Sequence, residues 1–320
     1  MPKFSAPSML ADLGATNARF ALLNGTSIDA IEVLKVSDYP SLGTAIGAYL
    51  DRVQPTKPPR KAALAIACPV HEDRVEMTNH AWSFSKSALQ EQLALDRLTL
   101  INDFAAVALG VPHLDPVDYR QIGGGQAEPN QTVGVVGPGT GLGVSALVPG
   151  RERWTALDAE GGHVTMPALT DREAAVIGKL RQRFSHVSAE RVLSGMGLTN
   201  LYETLASLDG VDIRAREPHE VTEGAMSDAD PYCREAVDMF CAMLGTIAGN
   251  LALTLGAFGG IYIAGGIAPK MGPLFLQSDF RERFEAKGRF RQYLSGIPTF
   301  LVTQPFPALV GLKAALDRPD

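Results

Sequence analysis

Asn102 and Asp103 stand where a strand-type run, Leu98 to Ile101, gives way to a helix-type run of Ala, Val and Leu, Phe104 to Leu109. In open α/β sheets this carboxyl end of a strand is where ligands bind. Taken alone, Asp103 reads as a helix N-cap that accepts hydrogen bonds from the first turn. Two turns elsewhere change that reading: Gly14-Ala15-Thr16-Asn17, and Gly137-Pro-Gly-Thr-Gly-Leu-Gly143 with Gly139, Thr140 and Gly141 at its tip. Amides exposed at glycine, with a Thr hydroxyl beside them, form a concave donor surface for phosphate oxygens. A carboxylate facing such turns takes the proton of a hydroxyl that attacks phosphorus. Either turn alone is also an ordinary hairpin.

Neither turn has the Gly-Lys-Thr or Gly-Lys-Ser of a P-loop, or the dinucleotide fingerprint with its later acid. Asp12, beside the first turn, is placed to hold Mg²⁺ through water, since that ion keeps much of its hydration. Gly265-Gly266, after the apolar run Ile261 to Ala264, lets a base or ribose lie against backbone, or else begins a helix. Glu160, His163 and Glu190, with Asn102 and Asp103, supply carboxylates, an imidazole and an amide. That mixture reads sugar hydroxyls as both donors and acceptors. Glu160-Gly-Gly-His163 sets its acid and imidazole beside a flexible turn. The plain alternatives are a structural His163 and a surface Glu190. His71, His80, His113, His186 and His219 read as structural or surface residues, and no His/Cys/Asp set has metal-ligand spacing.

The elements that must position these residues follow from the pattern. Met9 to Asp12 and Ala18 to Leu23 are strands around the first turn, and Ile31 to Val36 completes a meander. Ser41 to Val53 is helical, Ala62 to Ala67 a buried strand ending at Cys68-Pro69, and Met77 to His80 and Trp82-Ser-Phe lead to a helix near 86–95. Val111 to Asn130, with Pro112, Pro116 and Gly123 to Gly125, crosses to a second lobe. There Thr132 to Val136, the glycine-rich turn and Val144 to Val148 repeat strand, turn, strand. Two copies of one device imply a duplicated domain whose turns face each other across a ligand cleft between lobes. Helical segments are expected around 171–183 and 197–208, with a polar stretch near 210–231. A terminal helix over Pro307 to Leu316 returns to the first lobe. The expected domains are 1–110, completed by about 301–320, and 111–300.

A length of 320 residues exceeds what one core usually fills, which agrees with two lobes. The net charge of −6, with no Lys/Arg block, argues against nucleic acid or an anionic membrane as partner. Three scattered cysteines, Cys68, Cys233 and Cys241, suit a reducing cytoplasm, and the first residues lack the apolar core of a secretory signal. The 31 uncharged residues from Met239 to Pro269 are long enough for a membrane span. Gly256 to Gly260 interrupts them, so they read instead as a buried helix of about 233–255, a turn and a buried strand. Gly245 and Gly249 then let another helix approach closely, within the fold or at a subunit contact.

Several motifs in one order resemble the proteobacterial-type glucokinases. They are Leu10-Ala-Asp-Leu-Gly-Ala-Thr-Asn-Ala-Arg19, Ile101-Asn-Asp-Phe-Ala-Ala106, Gly137 to Gly143, Glu160-Gly-Gly-His-Val164, Ser188-Ala-Glu-Arg-Val-Leu-Ser-Gly195 and Ile263-Ala-Gly-Gly-Ile267. The resemblance spans nearly the whole chain. It implies an α/β fold of the two-lobed, actin-like/hexokinase (ribonuclease H-like) type, and ATP-dependent phosphorylation of glucose at its 6-hydroxyl, usually by a homodimer. By position it implies Asp103 as base, Asn102, Asp103, Glu160, His163 and Glu190 as sugar ligands, and the turns at 12–17 and 137–141 as phosphate sites. It places the adenosine side at Gly265-Gly266. The family usually has Gly-Gly-Thr in the first turn; here Ala15 restricts the backbone, with an expected effect on ATP affinity. The zinc-binding cysteine cluster of the repressor-and-sugar-kinase relatives is absent. Kinases for other hexoses, a sugar-responsive regulator and a chaperone-type ATPase are the alternatives. The regulator would need a DNA-reading module, and the chain starts directly in its first strand.

Overall fold

The computed structural model describes residues 6–68, 70, 72–77 and 82–316. The chain divides into two units, Met1–Leu114 with Gln304–Asp320, and Asp115–Thr303. His71, His80 and the segment 78–80 lie outside the described residues.

In the first unit β1 (Ser8–Leu13), β2 (Asn17–Asn24) and β3 (Ser27–Lys35) form an antiparallel meander. Helix α1 (Leu42–Val53) starts at a Ser41–Thr44 capping box. It buries Leu42, Ala45, Ile46 and Tyr49, the spacing of one helical face, and Tyr49 stacks on Phe20 at 5.2 Å. Strand β4 (Lys61–Ile66) pairs parallel with β1, and its Ala-Ala-Leu-Ala-Ile run is fully buried, as expected of a strand covered on both faces. A small hairpin, β5 (Arg74–Glu76) with β6 (Ser83–Ser85), was not expected, because three residues carry no readable alternation. Ser85 caps α2 (Lys86–Gln92), which is shorter than the span near 86–95. Strand β7 (Arg97–Asn102) adds parallel to β4 and hands directly to α3 (Asp103–Gly110), completing the order β3-β2-β1-β4-β7.

The C-terminal helix Pro307–Leu316 packs along α3 in the same unit. Their backbones nearly touch. A Cβ on Gly311 would overlap the Ala106 carbonyl oxygen, and one on Gly110 would lie 2.7 Å from the Pro307 carbonyl oxygen. Glycine is required at both positions by approach, not by turn geometry.

The second unit repeats the sheet plan. Strands β8 (Tyr119–Ile122), β9 (Val133–Pro138), β10 (Leu142–Pro149), β11 (Trp154–Ala159), β12 (Ile261–Ile263) and β13 (Thr299–Val302) lie in the order β11-β10-β9-β12-β13-β8. As in the first sheet, a hairpin around a glycine turn leads to parallel strands: β9 with β10 antiparallel, then β12 and β13 parallel. Helices α4 (Asp171–Leu180), α5 (Gly195–Leu208), α6 (Pro218–Met226) and α7 (Pro231–Leu255) follow β11. Four short helices come between β12 and β13: α8 (Ala268–Met271), α9 (Pro273–Leu276), α10 (Phe280–Glu285) and α11 (Arg291–Ser295).

Helix α6 falls within the polar stretch expected near 210–231, where the pattern singles out no helix. Pro218 at its first position and the Glu217–Glu220 capping box start it, and burial of Val221 and Ala225 holds it. Helix α7 is long and apolar enough to cross a membrane, yet 78% of its most apolar window is buried in the unit, which makes it a core helix. It ends at Gly256, whose φ of +59° suits the left-handed cap. Burying Phe240, Met243, Leu244 and Ile247 contributes roughly 1.5–3 kcal/mol each. Gly245 and Gly249 face α10, where a Cβ would strike the Phe280 and Phe284 carbonyl oxygens, so the close approach they allow is internal to the unit. Arg283 of α10 ties back to Glu173 of α4 at 2.7 Å. Burial alone would raise the Glu173 carboxyl, but Arg283 and the Leu169 and Thr170 amides hold it below its usual range.

Candidate active site

Register places the first unit's candidate residues along one sheet edge. Leu13, Ile66 and Asn102 are paired across β1, β4 and β7. The turn after β1 and the Asn102-Asp103 step after β7 therefore share the carboxyl edge, about 10 Å apart as two strand spacings. Cys68 lies between them. Burial raises its thiol, and the nearby Asp103 charge raises it further.

The N-cap of α3 is Asn102, not Asp103. Asn102 Oδ1 accepts from the Phe104 and Ala105 amides at 2.9 and 3.1 Å. This leaves the Nδ2 amide as the group Asn102 offers a ligand. Asp103 occupies the first helical position, half-buried, with Oδ1 2.9 Å from the Phe104 amide that donates to it. A carboxylate there is favoured by the positive end of the helix.

In the first turn the Gly14 amide donates to the Asn17 carbonyl at 3.1 Å, and the Thr16 carbonyl accepts from Val36 at 3.0 Å. Ala15 is half-buried, Thr16 exposed, and neither Gly14 nor Ala15 lies in the left-handed region. The turn as built needs no glycine at 15. Asp12 is engaged by a residue the spacing had not singled out: Arg19, opposite it in the hairpin, donates to Oδ2 at 3.0 Å. Burial pushes the Asp12 carboxyl above its usual value, which Arg19 only partly offsets. A hairpin turn at 14–17 fixes this pairing, so the partner was legible from register.

The second unit gathers the segments 160–163, 190–195 and 265–267 around one turn. The Gly139 amide donates to the Gly141 carbonyl at 2.8 Å, closing the turn. Glu190 Oε2 accepts from the Leu142 amide at 2.9 Å, and its carboxylate fills the space a Cβ on Gly141 would take. The Glu190 amide in turn donates to the Gly162 carbonyl at 2.9 Å. One residue thus joins the glycine turn to the Glu160–His163 segment and keeps Oε1 for a ligand. Gly161 and Gly162 form a 3-10 turn whose added Cβ atoms would meet Val144 and the Leu142 carbonyl. Close packing on β10, not flexibility, requires those glycines. Glu160 and His163 project outward, 70% and 61% exposed and 3.9 Å apart, with their polar atoms available to a ligand.

Gly265, at φ +84°, sits against the Pro138 carbonyl, and the Ile267 amide donates to that oxygen at 3.3 Å. Gly266 is exposed and meets nothing within 4 Å of an added Cβ, and the same holds for the space around Gly139. A further contact was missed: the Gly195 amide at the start of α5 donates to the Gly139 carbonyl at 2.9 Å. His113, His186 and His219 are exposed. Among the described residues no group of three His, Cys, Asp or Glu side chains could cage a metal.

A family model described as Glucokinase matches residues 9–319. The chain belongs to the glucokinase family. This makes it a hexose-kinase-type enzyme. A glucokinase of Paramagnetospirillum magneticum is 49% identical over 97% of this chain and 98% of its own length. A glucokinase of Aromatoleum aromaticum is 49% identical over 98% and 95%. A crystal structure of glucokinase from an Antarctic psychrotroph superposes with a TM-score of 0.86 at 38% identity, covering 98% of this chain and 99% of that one. A ROK family glucokinase of Streptomyces griseus, in complex with glucose and AMPPNP, is 18% identical with a TM-score of 0.68 over 97% and 98%. It shares the fold, which is the actin-like sugar-kinase fold.

Proposed function

We propose that this glucokinase-family chain transfers the γ-phosphoryl group of ATP to the 6-hydroxyl of D-glucose. Asp103 accepts the hydroxyl proton as the O6–phosphorus bond forms and the bond to the β,γ-bridging oxygen breaks, releasing ADP. Glucose is held by Asn102 Nδ2, Asp103, Glu160, His163 and Glu190. The turns at 12–17 and 137–141 hold the phosphates, and Gly265-Gly266 holds the adenosine side. The observation that carries this reading is the shared sheet edge of Asp103 and the Gly14–Asn17 turn, set by the register of β1, β4 and β7.

Mg²⁺ fits this donor set. Mg²⁺ needs one or two carboxylates plus phosphates and waters, so Asp12, whose Oδ2 is held by Arg19, would reach it through water by Oδ1 without a protein cage. When bound it would neutralise phosphate charge. The reading includes a cytoplasmic enzyme acting as a homodimer, with neither nucleic acid nor membrane as partner. The test is a coupled ADP-release assay with Mg²⁺-ATP against glucose, mannose, fructose, N-acetylglucosamine and no sugar. Release stimulated by glucose, with glucose 6-phosphate formed, is expected; preference for another sugar or hydrolysis without sugar would contradict the assignment.

A further inference from the structure

The segment that leads into α5 grips the 137–141 turn at two points. Glu190 Oε2 accepts from the Leu142 amide, and the Gly195 amide donates to the Gly139 carbonyl, each at 2.9 Å. The stretch between these contacts is anchored in the core. Val192 and Leu193 are fully buried, Ser194 caps α5 by accepting from the Gly197 amide at 3.0 Å, and Asn200 Nδ2 donates to the Arg191 carbonyl at 2.9 Å. Before it, the Ala189 and Glu190 amides donate to the Val164 and Gly162 carbonyls, which ties the same main chain to the Glu160–His163 segment. The Glu190 side chain is therefore the adjustable member of a fixed frame. Its carboxylate fills the space beside Gly141, braces the turn through Oε2 and keeps Oε1 for a ligand. Glutamate is among the side chains with most rotamer freedom to lose, and a ligand that fixes it removes that cost for whatever binds next.

We infer that Glu190 is a positioning residue for the phosphate turn and couples the two substrates, so that a sugar hydroxyl on Oε1 and phosphate on the turn each hold the carboxylate where the other needs it. This rests on the reading above, with glucose and ATP as substrates, and adds to Glu190 a role that a sugar contact alone does not have. Coupling of this kind is reciprocal: each ligand changes the affinity for the other by the same factor.

The experiment uses isothermal calorimetry to measure the Kd of glucose with and without saturating Mg²⁺-AMPPNP, and of AMPPNP with and without glucose. Wild type, Glu190→Ala, Glu190→Gln and Gly141→Ala are compared. In wild type each ligand should tighten the other by roughly fivefold or more, the lower end of typical coupling between sites. In Glu190→Ala that factor should collapse toward one, and AMPPNP alone should bind roughly three- to tenfold more weakly, the range of one lost hydrogen bond. Loss of a sugar contact would not by itself weaken AMPPNP in the absence of sugar. Glu190→Gln keeps an acceptor for the Leu142 amide, so its AMPPNP affinity should return to within about twofold of wild type while glucose binding stays weak. Gly141→Ala adds no backbone strain but sets its Cβ against Oε2, so it should weaken glucose binding even without nucleotide. A wild type that binds both ligands without mutual effect would overturn the coupling. So would an unchanged AMPPNP Kd in Glu190→Ala, or an unchanged glucose Kd in Gly141→Ala if Glu190→Ala does not fold. A wild type that fails to bind glucose or AMPPNP at all would instead overturn the reading beneath it.

Discussion

Asn102 shows how one side chain divides its two polar atoms between folding and binding. Its oxygen caps α3 by accepting two amides, and its Nδ2 is left for a hydroxyl. Asp is as good an N-cap as Asn but carries no side-chain donor. Asn102→Asp should therefore leave the melting temperature nearly unchanged while raising the glucose KM at least tenfold, the scale of about 1.5 kcal/mol for a lost bond to a polar partner. Thermal melts and steady-state kinetics on the same preparation check this, and an unchanged KM would remove Asn102 from the sugar site. Sequence alone picks out Asn102, Asp103, Glu160, His163 and Glu190 by type, but not which atoms are already engaged. The bond from the Leu142 amide to Glu190 spans 48 positions, and no local pattern announces it.

At the scale of elements, Asp103 stands at the start of α3, whose position depends on the C-terminal helix. Gly311 meets the Ala106 carbonyl so closely that no side chain fits, and the clash would be with backbone. Gly311→Ala should push the two helices apart, costing about 1–3 kcal/mol, as overpacking does. It should also lower kcat, because α3 carries Asp103. Differential scanning calorimetry and turnover report the two effects. A variant with wild-type stability and kcat would show that α3 is held elsewhere. The strand β7 and helix α3 were readable because Leu98–Ile101 and Phe104–Leu109 are apolar runs of opposite type. Strand β11 was not: Trp154–Ala159 lies exposed on the sheet edge, so its residues carry no buried alternation. The nine residues of α6 were hidden for a similar reason, with only three buried positions to mark a face.

Across the whole molecule, two sheets of one plan carry the two glycine turns. In each sheet a hairpin around the turn precedes the parallel strands. The repeated strand–turn–strand pattern was visible in residues 9–23 and 132–148, whereas the later strands of each sheet are separated from it by helices of different number and length. Those insertions hide the repeat from inspection of the sequence. The reading that unites both units is phosphoryl transfer to a bound sugar, with positioning and charge doing most of the catalysis and one carboxylate taking the proton. Its most direct test is Asp103→Ala, assayed for glucose-dependent ADP release and titrated with glucose by isothermal calorimetry. Turnover should fall by at least 10²-fold, the scale of a lost general base, while glucose still binds measurably. Turnover within a few fold of wild type would contradict the account, since the proton would then have another acceptor.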